Sequence, residues 1–429
     1  MASTSMVQAQ DGPILFSNVD VFDGQTLELM KDMNVVVTGN LITQVTADDV
    51  AVAGGQVIDG EGYTLMPGLS DTHVHIGFAS LPQAGLLVGL PEYAVIHSVG
   101  DAEDMLMRGV TSVRDMGGNT FGLKQAIDTG RVVGPRIYPS GAFLTQTAGH
   151  GDFRFPNQGN PRFGGTVPEY EKAGHSYIVD GVPQVLAAAR ENLRHGASQI
   201  KIAAGGGYSS PADPLLGTQF TFDEMKAAVD AAENWGTYVT MHAYHDSAIN
   251  QAIDAGVKDV GHGQLMSKKT MERMAKEGVF LSTQPFTVCS EPQLDDFSNS
   301  KLAQVCEGTE NMYKWAKELP DLKVTYGTDL FFVSEEMLSE QVEQMERLLP
   351  WFEPGEILKM ATSNAGELFA MSGLRNPYGE GSIGVVEEGG YADLLLVSGN
   401  PLETLDAVTK TENLKIIMKD GVIYKNTLN

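Results

Sequence analysis

The chain has 429 residues, 42% hydrophobic and 20% charged, the balance of a globular protein with room for a large core and a smaller body beside it. Its 29 basic and 55 acidic residues leave a net charge of -26, which argues against nucleic acid or an anionic membrane surface as a partner, since both need a basic face. No run of about 18 apolar residues is present to span a bilayer.

In chain order, MASTSM reads as an added leader. Val7-Gln8-Ala9 fits the small-residue tail of a cleaved signal peptide, so the compartment stays open between cytoplasm and export. From Ile14 to Ile58, ILFSNVDVFDG and MNVVVTGNLITQV are short strand patterns broken by Asp-Gly and Gly-Asn turns, which predict a small sheet. After Gly60, apolar strands alternate with helices. Strands are expected at 65–76, 110–116, 136–144, 199–205, 238–243, 258–263, 279–285 and 323–329. Helical stretches such as VPQVLAAARENLRHG and KKTMERMAKEG end in glycines suited to the C′ position, among them Gly109, Gly196, Gly236, Gly256 and Gly278.

This alternation predicts an α/β fold, a closed (β/α)8 TIM barrel over residues 65–378. The far end returns to short strands in GYADLLLVSGNPL and NLKIIMKDGVIYKN. Residues 13–64 and 379–429 are therefore expected to pair as one small β-sandwich domain built from both ends of the chain. Cys289 and Cys306 show no CxxC pair or framework spacing, and whether they join is left open.

His73 and His75 stand two apart in a strand pattern, so both imidazoles face one side and can reach one ion. Further candidate ligands fall at later strand ends: Lys201 in QIKIAAG, His242 in TMHA, His262 in DVGHG and Asp329 in YGTD. Taken singly, Lys201 reads more readily as a snorkelling surface lysine, either histidine as a hydrogen-bonded core residue, and Asp329 as a helix N-cap. Together they lie where barrels of this kind build active sites, at the carboxyl ends of several strands.

The order His-x-His, Lys, His, His, Asp resembles the metal-dependent amidohydrolase superfamily, with LMPGLSDTHVH similar to its first-strand motif and AGVKDVGHG to its sixth. GHGD at 149–152 and the GGGYSS loop after Lys201 resemble the branch of Xaa-Pro dipeptidases, N-acyl-amino-acid carboxypeptidases and ochratoxin-hydrolysing amidases, the last most of all. The resemblance implies two zinc or other divalent ions, bridged by a carboxylated Lys201. It gives His73, His75 and Asp329 to one ion and His242 and His262 to the other. Two such ions would activate a water and polarise the scissile carbonyl, with Asp329 moving the proton to the leaving amine.

His150 and Tyr208 look like that branch's groups for the substrate's carbonyl and its C-terminal carboxylate. The implied substrate is a small amide or dipeptide with a free carboxylate, ochratoxin A yielding ochratoxin α and phenylalanine being the specific expectation, and the implied assembly is a homo-oligomer. A cyclic-amide hydrolase of the imidazolonepropionase kind and a non-catalytic scaffold are the alternatives. Lys201 and the full ligand set speak against them.

Other residues are less legible. No arginine stands beside the ligand motifs as a carboxylate clamp, although Arg154 and Arg162 follow the third strand. Residues 150–180, with Phe153, Phe155 and Phe163, form a long loop expected to act as a lid or a binding wall suited to an aromatic substrate. His245 is read as an early helix residue or a second layer around the ligands. His97, His175 and His195 carry no interpretable pattern.

Overall fold

The structure, a computed structural model, describes residues 12–210, 212–290 and 295–428, so the leader and the Val7-Gln8-Ala9 tail lie outside the described residues. Both ends of the chain meet in an eight-stranded sheet. Its N-terminal strands are β1 (Ile14–Val21), β2 (Met30–Thr38), β3 (Leu41–Thr46), β4 (Gln56–Asp59) and β5 (Thr64–Pro67). Ten strands of a parallel body follow: β6 (Leu69–Val74), β7 (Val110–Asp115), β8 (Arg136–Pro139), β9 (Phe143–Thr145), β10 (Ser176–Ile178), β11 (Ile200–Ala203), β12 (Val239–His245), β13 (Asp259–Leu265), β14 (Phe280–Thr283) and β15 (Val324–Tyr326). The chain then returns to the first sheet with β16 (Leu394–Val397), β17 (Leu414–Lys419) and β18 (Val422–Asn426).

The terminal sheet runs β18-β17-β16-β5-β1-β2-β3, with β4 also paired to β1. Its core is purely apolar, with Phe16, Val35, Leu65, Leu394 and Ile416 among the residues withdrawn from water. The junction with the parallel body is Gly68. Its N–H bonds to Asp393 O at 2.8 Å, while the next residue, Leu69, bonds to Gly109 O at 3.0 Å. A Cβ at Gly68 would fall 2.2 Å from Thr111 Oγ1, so only glycine fits where the chain changes sheets. The single strand expected over 65–76 is therefore two strands in two sheets.

The parallel strands form one sheet in the order β10-β9-β11-β12-β13-β14-β15 and another in the order β6-β7-β8. The continuous strand expected over 136–144 is broken into β8 and β9 at Gly141, whose φ is 70°. Hydrogen bonds link the two sheets on both sides. Ser198 N donates to Pro139 O at 2.8 Å; on the other side Asp329 N donates to His73 O at 2.7 Å and Thr72 Oγ1 to Tyr326 O at 2.8 Å. Asp71 reinforces the second link, accepting from the Thr328 hydroxyl at 2.6 Å and from Gln341 Nε2 at 2.9 Å.

Helices cover the outside of these strands: α1 (Gln83–Val88), α2 (Pro91–Met107), α3 (Phe121–Asp128), α4 (Glu169–Lys172), α5 (Val182–His195), α6 (Phe222–Glu233), α7 (Asp246–Ala255), α8 (Lys268–Glu277) and α9 (Asp296–Lys317). Local chemistry sets their ends. Thr221 and Glu224 form a reciprocal capping box at the start of α6, and Gly196, Gly256 and Gly278 take left-handed conformations after α5, α7 and α8. A disulfide joins Cys306 of α9 to Cys289 in the loop after β14, with Cα atoms 5.5 Å apart, which answers the pairing left open by spacing. Among the described residues, no helix is long and apolar enough to cross a membrane.

Candidate metal centre

The parallel strands deliver the six candidate ligands to one place. His73 lies on β6 and His75 just beyond it, Lys201 on β11, His242 on β12, His262 on β13, and Asp329 just past β15. All six line one small inner cavity, together with His150, Tyr208 and a wall of phenylalanines that includes Phe78 and Phe143. Asp329 Oδ1 lies 3.2 Å from His73 Nε2 and 3.3 Å from His75 Nε2, and its Oδ2 lies 3.9 Å from His262 Nδ1. The His242 and His262 rings meet edge to face, 4.2 Å between centroids. His73, His262 and Asp329 alone already group closely enough to hold an ion.

Two of the candidate ligands sit on left-handed backbone. His262 has φ 82° and Asp329 φ 53°, conformations that ordinary residues rarely adopt and that persist where the surroundings impose them. The outer atoms of the ligands are held by neighbours. His75 Nδ1 meets Gly117 O at 3.0 Å, His242 Nε2 meets Gly206 O at 3.1 Å, and His73 Nδ1 meets the Gln284 side-chain amide at 3.1 Å. The carbonyl partners of His75 and His242 accept the ring proton and leave the other nitrogen's lone pair for an ion, whereas Gln284 reaches His73 Nδ1 through its amide nitrogen, a donor.

Burial sets the protonation states. It pushes His262 down to about 3 and holds His73 and His242 well below the usual histidine range, with the nearby Lys201 acting in the same direction on all three. These imidazoles are neutral at physiological pH, the form in which histidine binds a metal. Burial also brings Lys201 down to about 7. Burial opposes ionisation of Asp329, but the His75 hydrogen bond and the basic side chains around it outweigh it and hold the carboxyl below its usual range.

Lys201 Nζ and both ring nitrogens of His262 have no hydrogen-bond partner although they are buried. An unmatched buried polar atom costs about 1–3 kcal/mol. A set of neutral imidazoles, one carboxylate and one amine, with lone pairs unclaimed by protein, fits divalent metal ions of the zinc type.

A larger outer cavity of about 590 Å³ opens onto the site, sharing Phe153, Tyr208, Ser209, Asp329, Phe331 and Phe332 with it. The segment 150–180 contributes Phe153, Arg154 and Phe155 to its wall, whereas Phe163 is 88% exposed and takes no part. Arg154 is bound to Asp152, and Arg162 to Asp180 and Gln184, so neither guanidinium is a free clamp. Arg347, which the sequence did not single out, also lines this cavity.

His150 is half-buried, with its ring stacked on His242, centroids 3.9 Å apart. Tyr208 packs against Phe286 at the junction of the two cavities. His245 is the last residue of β12 and caps α7, rather than lying within the helix. His97 meets the Ser80 hydroxyl at 3.0 Å, His195 pairs with Glu191 at the surface, and His175 packs on Phe78; none of the three lines the site. Tyr244, whose buried hydroxyl lacks a partner, lines the inner cavity and was missed because it sits between two histidines in an apolar strand pattern.

Residues 64–424 match the model of the amidohydrolase family. The chain is 31% identical over 378 residues to the ochratoxinase of Aspergillus niger, an alignment covering 84% of this chain and 75% of that protein. Among solved structures, a prolidase complexed with N-methylphosphonate-L-proline superposes with a TM-score of 0.88 at 33% identity, covering 97% of this chain and 100% of the other. The structure of the A. niger ochratoxinase superposes with a TM-score of 0.83 at 25% identity, covering 97% and 96%.

Proposed function

Because the chain belongs to the amidohydrolase family and is a hydrolase of amide bonds, we propose that it releases a C-terminal amino acid from an N-acyl amino acid or dipeptide at a site for two metal ions. The observation that carries the reading is the convergence of His73, His75, Lys201, His242, His262 and Asp329, with Lys201 and His262 buried and unmatched. The site sits in a closed (β/α)8 barrel that runs from the junction at Gly68 to residue 378, a reading supported by the hydrogen bonds that join the two parallel sheets on both sides. Residues 13–67 and 379–429 form the accompanying β domain, supported by the pairing of β16 with β5.

In this reading His73, His75 and Asp329 would hold one ion and His242 and His262 the other. Bound divalent ions lower the pKa of water and polarise a carbonyl. Lys201, brought to about 7 by burial, has a neutral amine available to add carbon dioxide and lose a proton. The carbamate so formed would offer the ions an anionic ligand where the amine has no partner.

Asp329, between His73 and His75, is placed to move a proton from the attacking water to the leaving nitrogen. His150 receives the scissile carbonyl, and Tyr208 the substrate's carboxylate. The phenylalanine-lined cavities favour an aromatic or apolar acyl group, which suits ochratoxin A among the candidates. Assembly into a homo-oligomer is part of the same reading.

The test is elemental analysis of the purified protein beside release of free amino acid from ochratoxin A, N-acyl amino acids and Xaa-Pro dipeptides. Two divalent ions per chain, with release abolished by chelation and restored by metal, are expected. Metal without release from any of these substrates would overturn the substrate assignment, and failure to take up metal would overturn the centre itself.

A further inference from the structure

The loop after β11 carries Gly207, Tyr208, Ser210 and Asp213, and α9 holds it from behind. The buried Lys301 ammonium donates to Gly207 O at 2.7 Å, to Asp213 O at 3.2 Å and to Ser210 O. The Asp213 carboxylate accepts from Gly207 N at 2.8 Å, from Gln219 Nε2 at 2.9 Å and from the Ser210 hydroxyl. A hydroxyl has one proton, and Ser210 gives it to Asp213. Its oxygen therefore accepts from His150 Nδ1, 2.8 Å away.

His150 is thus held with a proton on Nδ1 and meets the inner cavity through Nε2. Its backbone is fixed as well, since His150 N donates to Gln219 Oε1 at 2.8 Å. Gly207 completes the arrangement by close approach: a Cβ there would lie 2.1 Å from His150 Nδ1, so the ring packs on bare backbone.

We propose that Lys301, Asp213, Ser210 and Gly207 form one device that sets the tautomer and the location of His150, an inference that rests on the role given to His150 above. These four are positioning residues, and none needs to touch substrate. Lys301 and Asp213 hold the loop, Ser210 passes the orientation to the ring, and Gly207 supplies the space. The device explains why Lys301, which is not among the candidate ligands, is buried. It also links α9, and through the Cys289–Cys306 disulfide the wall of the outer cavity, to the group that faces the scissile bond.

The experiment is a double-mutant cycle on the metal-loaded enzyme with the best substrate from the panel above. Ser210→Ala is expected to lower kcat about ten- to a hundredfold, the range for removing a partner that orients a metal-site histidine, with metal content and KM unchanged. Ser210→Thr, which keeps the hydroxyl, restores the rate. Gly207→Ala, which displaces the ring without removing Ser210, reproduces the loss.

In a His150→Ala background, Ser210→Ala has no further effect. Additive losses in that double variant, or full activity of Ser210→Ala, would overturn the device. Full activity of His150→Ala would instead overturn the role of His150 in the proposed reaction, so the two failures are told apart.

Discussion

Two buried polar clusters share the interior of the parallel strands, and they are built on opposite terms. In the first, Arg114 donates through Nε to Thr72 O at 2.7 Å, through Nη1 to Asp259 at 2.8 Å and to Tyr238 at 3.0 Å, and through Nη2 to Ser282 at 2.7 Å. Asp259 also accepts from Ser282 and Thr240, so every charged atom has a named partner. In the second, Lys201 Nζ and both nitrogens of His262 have none. Burial is nearly complete in both, so it does not separate a scaffold from a site. Hydrogen bonding distinguishes these two clusters: the Arg114–Asp259 pair is satisfied by the chain alone, whereas the Lys201 amine and the His262 ring leave capacity that a bound ion would take up.

The comparison breaks most sharply at Lys201. Lys201→Met in the metal-reconstituted enzyme is expected to lose roughly a thousandfold in turnover, or about 4 kcal/mol of transition-state stabilisation. Wild-type turnover with two ions still bound would show that the amine has no part in the centre. Arg114→Met addresses the matched cluster and strands the Asp259 carboxylate without its cation. It is expected to cost about 3–5 kcal/mol in urea unfolding, and pairing it with Asp259→Leu should recover most of that.

A smaller effect sharpens the contrast. In metal-free protein Lys201→Met should raise stability by about 1–3 kcal/mol, because it removes a buried donor that nothing accepts. A lower urea midpoint would mean that the amine has a partner after all. The same residue then limits stability and supports activity, a trade expected at functional sites.

His175 supplies the smallest effect, as an orphan outside the centre. Burial holds it down to about 4 against an ordinary 6.5, and its Nδ1 lacks a partner. Between those two values the unfolded chain binds the extra proton, so stability rises with pH across the window. The contribution is complete above 6.5 and is lost as pH falls towards 4. His175→Leu should flatten this stretch of the stability profile without changing turnover at pH 7.5. An unchanged slope would assign the acid sensitivity to another group.

Much of the site was legible before any coordinates. His73 and His75 share a face by the period of a strand, and Lys201, His242, His262 and Asp329 each close an apolar run, so position and residue type point the same way. The strand boundaries were less legible where glycine intervenes. Gly68 and Gly141 sit inside unbroken apolar patterns, and only the neighbours that a Cβ would strike, Thr111 in one case and Asn192 in the other, show why the strands break.

Ser210, Asp213 and Lys301 carried no sequence signal, because serine, aspartate and lysine in loops and helices are ordinary. They converge on His150 only after β11 and α9 are packed together. Arg347 escaped for the same reason, reaching the outer cavity from a segment with no motif.

By itself, then, the sequence determined the alternation of strands and helices, the identity and order of the candidate ligands, and the acidic balance, all set by local periodicity and side-chain chemistry. Tertiary structure decided which polar atoms find partners, how far each histidine is desolvated, where His262 and Asp329 are strained, and which lysine braces the loop at His150. Those properties depend on distances between segments remote in the chain, and local patterns do not encode such distances.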